Sequence, residues 1–180
     1  MKSIYILLTK STTVPSKIIY MATRNEFTHS AISLDRNFDE LYTFARKYKR
    51  LILPAGFVTE SVHEGVLGDS DDMDCAVYEL QISDIIYKRL VKILEHMENN
   101  KEKYRYSILG LPMCGVGKKY ERKDYFFCSQ FVYHALSEAG AIEKNTDPCL
   151  VRPVDLSRLP EVAEVFRGKI GHLRMGEAAM

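Results

Sequence analysis

Apolar and polar positions change rhythm along the chain, and each change marks an element. Residues 3–8 carry Ile4, Tyr5, Ile6, Leu7 and Leu8 in a short apolar run, the pattern of a buried strand. Pro15 and Ser16 open a short helix through residues 17–22. Residues 27–35 alternate: His29, Ala31 and Ser33 share one face, Ile32 and Leu34 the other. Arg36 and Asn37 are turn material, and residues 40–45 return as a second strand. A two-residue turn there pairs position 29 with 44 and sets Glu40, Tyr42 and Phe44 on the His29 face. A three-residue loop reverses the parity and sets Thr43 there instead. Residues 54–60 read as a loop entering a short extended segment, 65–74 as an acidic loop or hairpin, and 75–82 as another strand. Ser83 and Asp84 cap the clearest helix, with Ile86, Leu90, Ile93, Leu94 and Met97 at helical spacing and Asn99 and Asn100 at its end. Residues 104–111 are aromatic and apolar and lead into a Gly/Lys loop at 115–119; the last strand falls near 162–170.

The stretch with the most chemistry is 124–136. An aromatic lead-in, Tyr125, Phe126 and Phe127, feeds a helix that begins at or beside Cys128. Phe131, Val132, Ala135, Leu136 and Ala139 recur at the offsets of one helical face, and Gly140 follows as the C′ residue. Cys128 therefore lies in the first turn, on the buried face. Unpaired N–H groups and the positive end of the helix dipole favour an anion there, which biases the thiol toward the nucleophilic thiolate. The plainer alternative is a small buried hydrophobe. His134 lies about 240° around the helix from Cys128, so it is expected to be solvated, and a base must come from elsewhere in the chain.

A chain of 180 residues is long enough for one domain with a sizeable core, and a hydrophobic fraction of 46% with 27% charged residues is ordinary for a globular protein. The formal net charge of +1 gives no electrostatic case for nucleic acid. No segment reaches the length of a membrane span, and the apolar start stops at Thr9 and Lys10 without a cleavage site. Cys75, Cys114, Cys128 and Cys149 show neither disulfide nor zinc spacing, so the expectation is reduced thiols in a cytoplasmic protein. His63 with Glu64 has too few neighbouring ligands for a metal, and the Gly/Lys loop lacks the spacing of a phosphate loop. The mix of elements is α+β with mostly antiparallel pairing.

Cys128-Ser129-Gln130-Phe131-Val132 on a helix, after an upstream strand with Thr28-His29-Ser30-Ala31-Ile32, resembles the permuted papain-like amidases of the YiiX/YaeF type. These are relatives of the NlpC-type peptidases and of lecithin:retinol acyltransferase. Glu40-Leu41-Tyr42 with Phe44 and Arg46, Gly56-Phe57-Val58 with Glu60, Tyr104-Arg105-Tyr106 with Gly110-Leu111, and Phe166-Arg167-Gly168-Lys169 extend the resemblance over most of the chain. The histidine precedes the cysteine, the order of the permuted branch. The resemblance implies one domain over residues 1–180 with a circularly permuted papain-like fold, a central antiparallel sheet packed against helices and a nucleophile at a helix N-terminus. It implies Cys128 as nucleophile, His29 as base and Glu40 as the orienting third residue, in the place and parity of a two-residue hairpin, with Tyr42 the fallback if the hairpin is tight and Thr43 if the register shifts by an odd number. Backbone N–H groups at the helix start would hold an oxyanion, with Tyr125 or Tyr106 as an added hydroxyl donor. The implied activity is an amidase or peptidase on a small peptide-like or acyl-amide substrate, with no metal or organic cofactor. A lipid acyltransferase or phospholipase-like enzyme, and a catalytically silent binding module, are the alternatives.

Overall fold

The computed structural model describes residues 1–10, 26–46 and 55–176. The helix expected at 17–22 lies outside them. The described elements are β1 (Lys2–Thr9), β2 (His29–Ser33), β3 (Leu41–Arg46), β4 (Ala55–Glu60), α1 (Gly65–Gly68), β5 (Asp74–Ile82), α2 (Asp84–Asn99), β6 (Arg105–Tyr106), α3 (Gly110–Gly115), β7 (Tyr125–Phe126), α4 (Cys128–Ala139), a 3₁₀ turn (Pro148–Leu150), α5 (Pro153–Leu156), β8 (Ala163–Lys169) and α6 (Ile170–Arg174). The strands form one eight-stranded sheet in the order β7-β6-β4-β3-β2-β1-β5-β8. Every pairing is antiparallel except β6 with β7. The α+β class read from the sequence holds.

β1 sits inside the sheet and is buried on both faces, which is why its sequence runs apolar without alternation. Ile4, Ile6 and Leu8 join a core with Ile32, Tyr42, Phe44 and Phe57 beneath α2 and α4. Tyr5 and Leu7 join a second cluster on the other side, with Ala31, Phe38, Leu41, Val62, Ile170 and Leu173. α2 starts where the sequence placed it: the Ser83 hydroxyl accepts from the Ile86 N–H at 3.3 Å, and Leu90, Leu94 and Met97 turn inward. α4 ends at Gly140, whose φ of 80° is the left-handed conformation expected of a C′ glycine.

The β2–β3 register differs from the two-residue hairpin. Ile32 lies opposite Tyr42, one residue away from the pairing that a two-residue turn imposes. The connection is longer: Phe38 adopts a positive φ of 58° and tucks its ring into the second core, edge-on to Tyr5 at 5.7 Å. The Ser33 hydroxyl ties this loop down by donating to the Asp35 and Glu40 carbonyls, each at 2.9 Å. A one-residue shift exchanges faces. Tyr42 and Phe44 therefore join Ile32 under the helices, and Leu41 joins Ala31 on the opposite side.

Candidate active site

An aromatic cluster fixes α4 to the sheet. Phe44 meets Phe126 and Phe131 with ring centroids 5.3 Å apart in each case, and Phe57 meets Phe131 edge-on at 5.5 Å. Each such pair adds roughly 0.5–1.5 kcal/mol beyond its buried area. The first turn of the helix is then pinned by polar contacts. Gln130 Oε1 accepts from the Phe127 N–H at 3.3 Å, and its Nε2 donates to Cys149 Sγ at 3.2 Å. The Ser129 hydroxyl donates to the Val151 carbonyl at 2.7 Å. Cys128 is the first residue of this turn and only 1% exposed.

His29 opens β2 opposite Thr9, and its ring hydrogen-bonds Cys128. Its Nε2 lies 3.2 Å from Glu60 Oε2. The two side chains expose 17% and 22% of their surface, so their interaction is only weakly screened by solvent. Burial alone would lower the His29 pKa; hydrogen bonds to Cys128 and Glu60 and their charges overcome it and raise it to about 10. Burial pushes the Cys128 thiol up, but the His29 hydrogen bond and charge, with the Ser30 backbone and hydroxyl, bring it below the ordinary thiol value. The opposed shifts both favour the thiolate–imidazolium form of the pair. The other three cysteines go the opposite way: burial raises Cys75 to about 12 and Cys114 and Cys149 to about 11.

The structure thus brings Cys128 and His29 together and does not bring Glu40 to them. The Glu40 carboxylate accepts the Tyr42 phenol hydrogen at 2.8 Å, and burial followed by that contact holds the phenol well above its usual range. The longer loop explains the miss, because it turns the Glu40–Tyr42 face away from the His29 face. The carboxylate that meets His29 comes from the far end of β4, where Glu60 pairs with Leu41. Alternation confirms its side: the Thr59 hydroxyl points toward α2, donating to Glu98 at 3.2 Å, so Glu60 points to the other face. A charged residue ending an apolar extended segment, Gly56 to Glu60, was the available signal in the sequence. Thr43, the fallback of the longer loop, donates to the Ser30 carbonyl at 2.7 Å.

Of the two tyrosines, Tyr106 sits close enough for the Cys128 charge, after burial, to help hold its phenol well above the usual range. Tyr125 instead carries the Arg122 guanidinium 3.8 Å above its ring. His134 is half-buried rather than solvated: its ring packs 5.2 Å from Phe126, and burial lowers its pKa. His63, in the loop, contacts the Asn37 carbonyl at 3.0 Å.

Fold and site together define an α+β protein with a cysteine at a helix N-terminus, paired to a histidine and a carboxylate on the sheet. No family model matches the chain, and no curated protein sequence matches it. Among solved structures the fold is similar to that of the metalloprotein yiiX from Escherichia coli O157:H7, DUF1105. The TM-score is 0.55 over 93% of this chain and 98% of that one, at 15% sequence identity. Among the described residues no group of three or more His, Cys, Asp or Glu side chains is arranged to hold a metal ion. The donors at the site are engaged with one another, His29 lying between Cys128 and Glu60. As placed, they form a chain with His29 in the middle rather than a set of donors converging on one ion. No described helix is long and apolar enough to cross a membrane.

Proposed function

We propose that the protein is a cysteine hydrolase of the permuted papain-like kind, acting on an amide, ester or thioester carbonyl. The observation that carries the reading is the Cys128–His29–Glu60 chain with its opposed pKa shifts. Cys128 Sγ, in the thiolate form that His29 favours, attacks the carbonyl carbon. The negative charge that develops on the oxygen is met by N–H groups of the first turn of α4, which have no intrahelical partners. The His29 imidazolium gives its proton to the leaving nitrogen, oxygen or sulfur, and an acyl-thioester on Cys128 remains. Neutral His29 then takes a proton from water as it attacks the thioester, and the acid leaves with the ion pair restored. Glu60 holds the ring orientation and supports its positive charge, the part a triad's third member plays. Tyr106, whose phenol feels the Cys128 charge, is our candidate for an added hydroxyl donor to the oxyanion. The order of His29 before Cys128 and the YiiX-like fold support the permuted assignment.

The test is a panel of chromogenic anilides, aryl esters and aryl thioesters with the wild type and Cys128→Ser. The variant keeps the fold, because the side chains are near-isosteric, and loses turnover, because a hydroxyl is far less readily ionised. Full activity in a folded Cys128→Ser protein would assign the nucleophile elsewhere.

A further inference from the structure

Seven large hydrophobic residues are exposed among the described residues, and three of them, Ile108, Leu109 and Val116, fall within one short stretch, at 52%, 60% and 67%. That stretch begins two residues after Tyr106 and contains α3, whose Pro112 is also exposed. α3 packs on Phe127, the residue before the nucleophile: a side chain at Gly110 would meet the Ser107 hydroxyl and lie 3.4 Å from the Phe127 ring. The helix is thus fixed inwardly to the site, while Ile108 and Leu109 before it, Pro112 within it and Val116 after it are exposed. Apolar side chains gathered at the surface in this way mark an interaction site.

Charge identifies the partner. Residues 101–123 hold seven Lys or Arg against two Glu, a net +5, while the whole chain carries +1, so the remainder carries −4. Lys101, Arg105, Lys118 and Lys123 are exposed. Gly117, at φ 69°, turns the chain so that the Lys118 N–H closes on the Met113 carbonyl at 2.8 Å, and the basic stretch follows directly behind the apolar one. A second copy of the same surface would bring like charges together. An anionic lipid surface meets both features, since apolar side chains enter the headgroup boundary and Lys and Arg bind its charge.

We infer that residues 108–123 dock the protein on an anionic lipid surface with the mouth of the Cys128 site beside it. Docking is peripheral and needs no spanning helix. Resting on the hydrolase reading above, it names the substrate class as acyl compounds presented at that interface.

The test is co-sedimentation of the full chain with phosphatidylcholine vesicles and with vesicles of phosphatidylglycerol and phosphatidylcholine. The wild type is expected to pellet with the anionic vesicles and to be released by salt. Ile108→Asn with Leu109→Asn should weaken binding roughly tenfold or more. Lys118→Glu with Lys123→Glu should weaken it by about fivefold or more per residue. All four residues are exposed, and thermal melts confirm that the variants stay folded. No pelleting, equal pelleting with both vesicles, or binding untouched by the Ile108/Leu109 pair overturns the inference. So does a dimer, seen by light scattering, that Leu109→Asn dissociates while vesicles go unbound. Iodoacetamide reactivity of Cys128, measured in parallel, separates the two readings: a reactive thiol with no vesicle binding overturns docking alone, and binding with an inert thiol overturns the hydrolase alone.

Discussion

Glu60→Gln removes a charge and keeps the shape. At the observed 3.2 Å, two unit charges attract by roughly 5 kcal/mol at an effective dielectric constant of about 20. The glutamine carbonyl still accepts a hydrogen bond, and the variant no longer desolvates a carboxylate, so the net loss of support for the imidazolium is about 2–3 kcal/mol. A negative neighbour favours the protonated ring, so its removal lowers the His29 pKa from about 10. The balance between the thiolate–imidazolium pair and the neutral thiol–imidazole pair then shifts toward the neutral form by roughly 30- to 150-fold, at 1.36 kcal/mol per pKa unit. The assay is the rate of Cys128 alkylation by iodoacetamide from pH 4 to pH 11, read by mass spectrometry so that the other cysteines do not contribute. The wild type should show a broad plateau through neutral pH. Glu60→Gln should lose about tenfold or more of that plateau and recover reactivity only in alkali, where the thiolate forms beside a neutral ring. A Glu60→Gln profile that overlays the wild type refutes the reasoning that makes Glu60 the support of the ion pair.

Glu40→Gln, in the same assay, should leave the profile unchanged, because Glu40 bonds Tyr42 and not His29; a displaced plateau would return Glu40 to the site. Gly56→Ala should destabilise the fold by about 1–3 kcal/mol in urea unfolding, since its new methyl group meets the Tyr104 backbone carbonyl where β4 pairs with β6. An unchanged midpoint for that variant would mean that the β4–β6 edge yields freely.

What the sequence disclosed, and what it hid, follows from the range of the forces involved. Local rules were enough for α2 and α4: the Ser83 cap, the apolar spacing and Gly140 are all set within a few residues. Cys128 could be singled out because its position in the first turn is a local property as well. His29 could be placed on a strand, but its partners are fixed by pairing. The register of β2 against β3 turned on Phe38, a bulky residue with positive φ that sequence rules do not put in a turn. A shift of one residue was enough to exchange Glu40 for the opposite face. Glu60 lies 31 residues from His29 and reaches it only through the pairing of β4 with β3. The half-burial of His134 likewise depends on Phe126, which α4 meets through the sheet edge rather than through its own helix.

The most direct test of acyl transfer to Cys128 is mass spectrometric trapping. The protein is mixed with p-nitrophenyl acetate, quenched in acid and digested with trypsin. The peptide spanning residues 124–144 contains Cys128 and no other cysteine. The account predicts acetylation of that peptide at Cys128 within the first turnover, and its loss in His29→Gln, where the thiol has no ring to ionise it. Acetyl groups on another residue, or equal labelling of Cys128 in His29→Gln, would contradict it.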